Sequence, residues 1–418
     1  MKTPAPLRHA DFRSLWVAGL ISDTGDWLLF IALPVVVYQL TGSALGTSFA
    51  FLVELAPGIV LAPLVGRLAD RWDRRRVLLL VSAAQGAALL PLLAVHTRSD
   101  LPILYSVILV EAALMTLFDP AKNAMLPTLL APDELVSANA LIGLNQNLGR
   151  LIGGPLGGVV LAVGGLRLTV TADVLSYLVA AAFIGRLTPR RRPQSPSRRT
   201  TAVRRHDPGP TGFLAALRDR HTRAGLLVAF TSQIAQGIFV VMFVLFVAQQ
   251  LRRGPAEIGL LRGVQAVGAI AGSLVLTALT RRIAPAKLTA GAAIAFGVLS
   301  LVVWNAPTVT TATGLFVVLF ILVGAPGVVM FAAIISNLQL ATCDGERGRA
   351  FAALGLASNA GQSIGMLAAG LLTAPLGLMT VLDAQATLYL VAGIIAGYWM
   401  TDQTTRRRVA PSASAAHR

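Results

Sequence analysis

"ALIGLNQNLGRLIGGPLGG", residues 140–158, is an apolar, glycine-rich stretch interrupted by a single arginine. Its pattern returns in "ALGLASNAGQSIGMLAAG", residues 353–370. At a shift of 212, Gly143, Asn147, Gly149, Gly153 and Gly158 fall on Gly355, Asn359, Gly361, Gly365 and Gly370, and Gly25 falls on Gly237. Five coincidences at one shift mark an internal repeat about half the chain long. Glycines four apart on a helix let a second backbone approach closely, as helices inside a bilayer require. Parallel repeats of this kind belong to transporters in which one half rocks against the other.

Composition agrees with a membrane setting. Only 13% of the 418 residues are charged and 55% are hydrophobic, whereas a soluble domain carries roughly 25% charge. The apolar residues come in blocks of about 20, the length that crosses a bilayer as a helix. In lipid the backbone must satisfy its own hydrogen bonds, and blocks this long are not barrel strands. The reading is an all-α membrane protein with twelve transmembrane helices in two pseudo-symmetric six-helix bundles. Spans fall near 12–40, 44–69, 77–95, 101–119, 136–164 and 167–187, then 223–250, 256–280, 286–304, 310–333, 348–374 and 379–401. Residues 1–187 form the N-terminal bundle and 222–401 the C-terminal one. The polar segment 188–221 is a cytoplasmic linker, and 402–418 a disordered cytoplasmic tail. "GFLAALRDRHTRAG", at the end of the linker, has apolar and basic faces suited to the inner membrane surface.

Charge fixes the orientation. Lys and Arg gather in cytoplasmic loops. With the N-terminus inside, 29 of the 35 basic residues lie on that side, Lys122 among them. Both termini are therefore expected in the cytoplasm of a bacterial cell, with the chain multi-pass in its inner membrane and the first span its own uncleaved insertion signal. The net charge of +16 arises in short loops between spans, not on a solvated face of the kind that binds nucleic acid. The lone Cys343 excludes an internal disulfide, and no His/Cys spacing suggests a metal. None of the three lysines ends a phosphate-binding loop, which excludes an ATP-driven pump. No nucleophile–histidine pairing appears, so the chain is not expected to be an enzyme.

Three stretches carry a resemblance. "GRLADRWDRRR", 66–76, resembles the loop 2–3 signature of the major facilitator superfamily, except that Asp73 stands where glycine is usual. "GRLIGGPLGG", 149–158, is similar to the span 5 motif of that superfamily's proton-coupled antiporters, through Gly149, Gly153, Pro155 and Gly157, with the proline one position late. "FRSLWVAGLISDTGDWLLFIALP" and "FDPAKNAMLPTLLAPDELVSANALIGLNQNLGR" look like the bacterial branch of macrolide-efflux and enterobactin-exporter proteins. The resemblance covers about 390 residues. It implies a major facilitator fold, rocker-switch alternating access, and an inner gate made by Gly66, Asp70, Arg71, Arg74 and Arg75. It needs no cofactor, only the proton gradient.

Charged residues inside spans cost about 2.5–3.5 kcal/mol each and so normally have a task or a partner. Asp23 and Asp26 lie mid-span 1, Glu54 mid-span 2, Glu111 mid-span 4 and Arg150 mid-span 5. Four acids thus face one base in the first half, while the second half holds only Arg262 and Asp383. A carboxyl there can take a proton from one side and release it to the other, which antiport needs. A static network of Glu54 and Glu111 with Arg150 is the alternative. Asp173 and Asp383, at the starts of spans 6 and 12, read as helix caps, and Arg262 as snorkelling outward. Trp27 and Trp304 read as substrate-stacking or interface groups. The expected function is a monomeric antiporter that exports a small apolar or cationic molecule, such as a drug, antibiotic or siderophore, in exchange for protons. The alternative is a proton symporter importing a nutrient or chelate on the same scaffold.

Overall fold

The computed structural model describes residues 5–61, 73–188, 220–279, 282–342 and 347–400, and among them every regular element is helical. In order these are α1 Ala10–Thr41, α2 Ala44–Val60, α3 Arg74–Ala88, α4 Leu101–Leu129, one continuous run Leu135–Gly185, α7 Arg220–Leu245, α8 Pro255–Leu279, α9 Pro285–Asn305, α10 Thr313–Ala341, α11 Arg347–Leu376 and α12 Leu378–Ile395. The run is broken at Gly165, whose φ of 63° and ψ of −164° no helix contains. We call its two parts α5 (135–164) and α6 (166–185). Nine of the described helices, with α5 and α6 counted as one run, are long and apolar enough to cross a membrane, and α2 is a shorter apolar helix. Large apolar side chains such as Leu80, Leu274 and Ile394 point outward and exposed. In water that would be costly; against lipid tails it is what a spanning helix requires.

Local chemistry sets the ends. Gly42, at φ 63°, closes α1 with its N–H on the Tyr38 carbonyl, a left-handed cap that glycine adopts without strain. Ser43 then starts α2 by accepting from the Gly46 amide at 3.3 Å. Asp73 starts α3 in the same way, accepting from the Arg76 amide at 2.9 Å. The residue that departs from the loop signature is thus a helix cap. α4 runs ten residues past the expected end of span 4, through Pro120 and Pro127. The sequence reading put Lys122 in an inner loop; it is instead inside the helix and 6% exposed. Prolines within helices are tolerated in membrane proteins because neighbouring groups re-satisfy the freed carbonyls.

The chain forms two compact units, residues 1–203 with 243–266, and 204–242 with 267–418. In the first, α1 packs along α5 and α6. A core of Phe12, Leu15, Leu78, Phe118, Met125 and Ile184 fills the space between α1, α3, α4 and α6. The glycines of the opening stretch make the α1–α5 seam. A methyl on Gly149 would sit 2.8 Å from the Asp23 Cβ, and one on Gly157 2.7 Å from the Leu28 Cα. Gly153 meets the Thr24 carbonyl and the Trp27 Cβ between them. Gly154 and Gly158 face the other way, onto Gly259, Gly263 and Ala256 of α8, with Pro155 against Gly263.

In the second unit the repeated glycines do the same job on the first helix of that half. Gly361 and Gly365 abut the backbone of α7 at Phe230 and Ile234. Trp304 is buried there and donates its indole N–H to Gln385 Oε1 at 2.9 Å, so it is a core residue rather than an interface anchor. Asp383 accepts from Asn305 Nδ2 at 3.2 Å.

Candidate functional site

Five helices of the first unit converge on a cavity of about 540 Å³. α1 supplies Asp26, α2 Glu54, α3 Gln85, α4 Glu111 and Asp119, and α6 Asp173 and Tyr177. Helical spacing explains each pair: Asp173 and Tyr177 are i, i+4, and Glu111 and Asp119 are i, i+8, so each pair shares a face. Gly25 lets α1 come so near α6 that any side chain there would strike Asp173 and Ser176. Trp27, Phe30, Phe51 and Met115 complete an apolar wall.

The polar groups form a connected set. The Tyr177 hydroxyl donates to Asp26 Oδ1 at 2.6 Å. Gln85 Nε2 donates to the Tyr177 oxygen and to Glu111 Oε2, each at 3.2 Å. Ser176 donates to Asp173 Oδ1 at 2.9 Å. Tyr177 and Gln85 are 3% and 2% exposed, so this frame is held by packing as well as by hydrogen bonds. Glu111 Oε1 and Asp173 Oδ2 are buried with no hydrogen-bond partner among the described residues. An unpartnered buried carboxyl oxygen is a costly open acceptor. Glu54 is exposed to the cavity. Of the described residues lining the cavity, five are acids and none is Lys, Arg or His. Such a surface attracts protons and cations, and its aromatic wall suits a flat or bulky organic group.

The other expected site residues lie elsewhere. Asp23 is separate, in a small space with Lys122 and Asn145. Lys122 pairs with Asp119 at 2.8 Å and lies 5.4 Å from the Phe118 ring centre. Among the described residues Arg150 bonds no carboxylate. Its Nη2 donates to Gln265 Oε1, its Nε to the Arg262 carbonyl at 3.2 Å, and its guanidinium stacks on Trp27 at 5.4 Å. Arg262 does not snorkel: it is 6% exposed, bonds Gln265 at 3.3 Å and lies over Phe30 and Phe243. Asp173 is not a cap but a fully buried cavity group eight residues past the break.

Of the expected gate, Gly66, Asp70 and Arg71 lie outside the described residues. Arg75 donates to the Ile184 and Gly185 carbonyls at the end of α6, a favourable place for a cation, and Arg74 stands at the start of α3. Gln85, Tyr177 and Asp119 went unread in the sequence. The first two are not charged, and Asp119 is the last residue of the expected span 4. No group of three His, Cys, Asp or Glu side chains among the described residues has the geometry to hold a metal ion.

The profile of the transmembrane secretion effectors matches residues 1–416. The multidrug efflux pump Tap of Mycolicibacterium fortuitum is 27% identical over 91% of this chain and 93% of its own. An enterobactin exporter, EntS of Citrobacter koseri, is 28% identical over 71% of each. The uncharacterized MFS-type transporter YfiS of Bacillus subtilis is 29% identical, but that match spans only 44% of either protein. In three dimensions the chain is similar to a bacterial homologue of the iron transporter ferroportin crystallised in an inward-facing state. The TM-score is 0.73 at 19% identity, over 94% of this chain and 98% of that one.

Proposed function

The chain belongs to the transmembrane secretion effector family of the major facilitator superfamily, and from that premise we propose that it is a proton-coupled antiporter exporting a small organic cation or apolar molecule. It is a multi-pass membrane transporter and not an enzyme. The observation that carries the finer reading is the acidic cavity, with five carboxyls, two of them holding oxygens unpartnered among the described residues, and no basic group on its described wall. Asp119 is paired with Lys122; the other four have no cationic partner among the described residues, and uncompensated carboxyls inside a bilayer mark ion and proton pathways. Asp26, tied to Tyr177 and through Gln85 to Glu111, is the central proton carrier of this reading. The aromatic wall of Trp27, Phe30 and Phe51 receives the substrate. Arg150 organises the seam between α5 and α8 instead of titrating with the acids.

In this reading the chain crosses the inner membrane twelve times, as two six-helix halves at 1–187 and 222–401 joined by the linker 188–221, with both termini cytoplasmic. The duplicated glycine seams support the two-half plan. Arg74 and Arg75, with Gly66, Asp70 and Arg71, form the inner gate. Substrate and proton alternate in one cavity, so loading one expels the other, and a monomer suffices. The relatives that are named as pumps and exporters support outward direction.

The test uses purified protein in liposomes with an imposed pH gradient and a pH dye inside. A panel of macrolides, tetracyclines, cationic dyes and a catecholate is added to wild type and to Asp26→Asn. Compound-dependent proton flux opposite to the compound, lost in the variant, is the expected result. Flux in the same direction as the compound establishes a symporter instead. Compound movement without proton flux removes the coupling.

A further inference from the structure

Behind the wall of the acidic cavity lies a second space of about 10 Å³, lined by Asp23, Lys122 and Asn145 among apolar neighbours. Lys122 stands between the two. Its ammonium is 2.8 Å from Asp119 Oδ1, and Asp119 lines the large cavity. The pair is lopsided: the lysine side chain is 7% exposed and the aspartate 45%. A buried ammonium has three donors to satisfy and is costly unless paired and hydrogen-bonded. Two further acceptors belong to residues that line the small space. One is the Asp23 carboxyl. The other is Asn145 Oδ1, which is buried with no hydrogen-bond partner among the described residues, while its Nδ2 is fixed on the Trp16 carbonyl at 2.7 Å. The four-carbon stem of lysine lets the ammonium swing between neighbouring acceptors without moving the backbone.

We propose that Lys122 is a tethered stand-in for the cationic substrate. In the empty transporter its ammonium neutralises Asp119. When a cation enters the large cavity and takes Asp119, the ammonium retreats to the Asp23 carboxylate and Asn145 Oδ1, so each of the two cations keeps a carboxylate partner. When the cation leaves, Lys122 returns, and that return favours release. The inference rests on the reading of the acidic cavity as a cation site. It adds a residue that sets cation affinity without touching the cation.

The experiment measures the Kd of tetraphenylphosphonium, a permanently charged probe, by calorimetry on purified protein in detergent. Wild type is compared with Lys122→Gln, Asp119→Asn, the double variant and Asn145→Leu, each checked for a monodisperse size-exclusion peak. A pair with one partner buried and one half-exposed lies between the surface and buried limits, so removing the competitor should tighten binding about tenfold in Lys122→Gln. The gain should vanish in the double variant, because Asp119 is what the probe gains. Asn145→Leu takes away an acceptor for the retreating ammonium and should weaken binding several-fold, which decides the matter even if Lys122→Gln does not fold. Equal affinity in wild type, Lys122→Gln and Asn145→Leu would make the pair static and overturn the proposal, leaving the cation site standing. Absence of binding in every protein, wild type included, overturns the cation reading and this inference with it.

Discussion

Replacing Gly157 with leucine perturbs the α1–α5 seam at a point that touches no cavity residue directly. A Cβ there would lie 2.7 Å from the Leu28 Cα and 3.1 Å from its carbonyl oxygen. Carbon atoms in contact rest about 3.5–4.0 Å apart, so the two backbones must part by about an ångström before the rest of the side chain is placed. Overpacking of this kind costs about 1–3 kcal/mol or more, against which the helix gains about 1 kcal/mol from losing a glycine. Gly143→Leu isolates the two effects, because nothing lies within 4 Å of a Cβ at Gly143. It takes the same propensity gain with no clash. Thermal unfolding in detergent, followed by tryptophan fluorescence, should therefore place Gly157→Leu below wild type and Gly143→Leu at or above it. Function should follow. Asp26 is two residues from Leu28 on α1, and its 2.6 Å bond to Tyr177 leaves little room for an ångström of displacement. Proton-coupled flux should fall in Gly157→Leu and persist in Gly143→Leu. Equal melting temperatures for the two variants would refute the seam.

Glu54→Gln should leave stability within about 0.5 kcal/mol, as expected of an exposed position without fixed partners, yet weaken binding of a cationic dye several-fold in a fluorescence titration. Gln85→Leu strips donors from Glu111 and Tyr177 together and should cost about 1–3 kcal/mol in thermal unfolding; an unchanged melting temperature would show that the frame is not held by this amide. Arg75→Ala removes the side chain bonded to the last carbonyls of α6 and should cost about 0.3–1 kcal/mol, read as a small drop in melting temperature. Arg150→Lys should destabilise measurably, because one ammonium cannot reach Gln265 and the Arg262 carbonyl while stacking on Trp27. If Lys serves as well as Arg there, the fork geometry is irrelevant.

Hydropathy blocks and the glycine repeat were enough to place most helices within a few residues, because both are local properties of the chain. The end of α4 was not legible: the expected span stops at 119, yet the helix runs on through Pro120 and Pro127, which inside a bilayer interrupt no more than a hydrogen bond each. The intramembrane acids announced a site, since charge in lipid is rarely idle. Which of them meet was hidden. Asp23 and Asp26 are three residues apart on α1 and yet face different spaces, one toward Lys122 and the other toward Tyr177. Arg150 read as a possible partner of Glu54 and Glu111, but its reach is used on α8. Tyr177 and Gln85 hold the frame together without any charge to mark them, and only the convergence of four helices shows it.

The break at Gly165 has a further consequence, for what lengths of chain this transporter can tolerate. α5 passes into α6 through one residue, with no loop to absorb an insertion or deletion. Each added residue turns the following helix by about 100°. A single-codon indel at the corner would swing Asp173 and Tyr177 off the cavity wall, although the first of them lies eight residues away. Natural variation in length should therefore avoid this corner, and insertion scanning should find it among the least forgiving points in the first half of the chain.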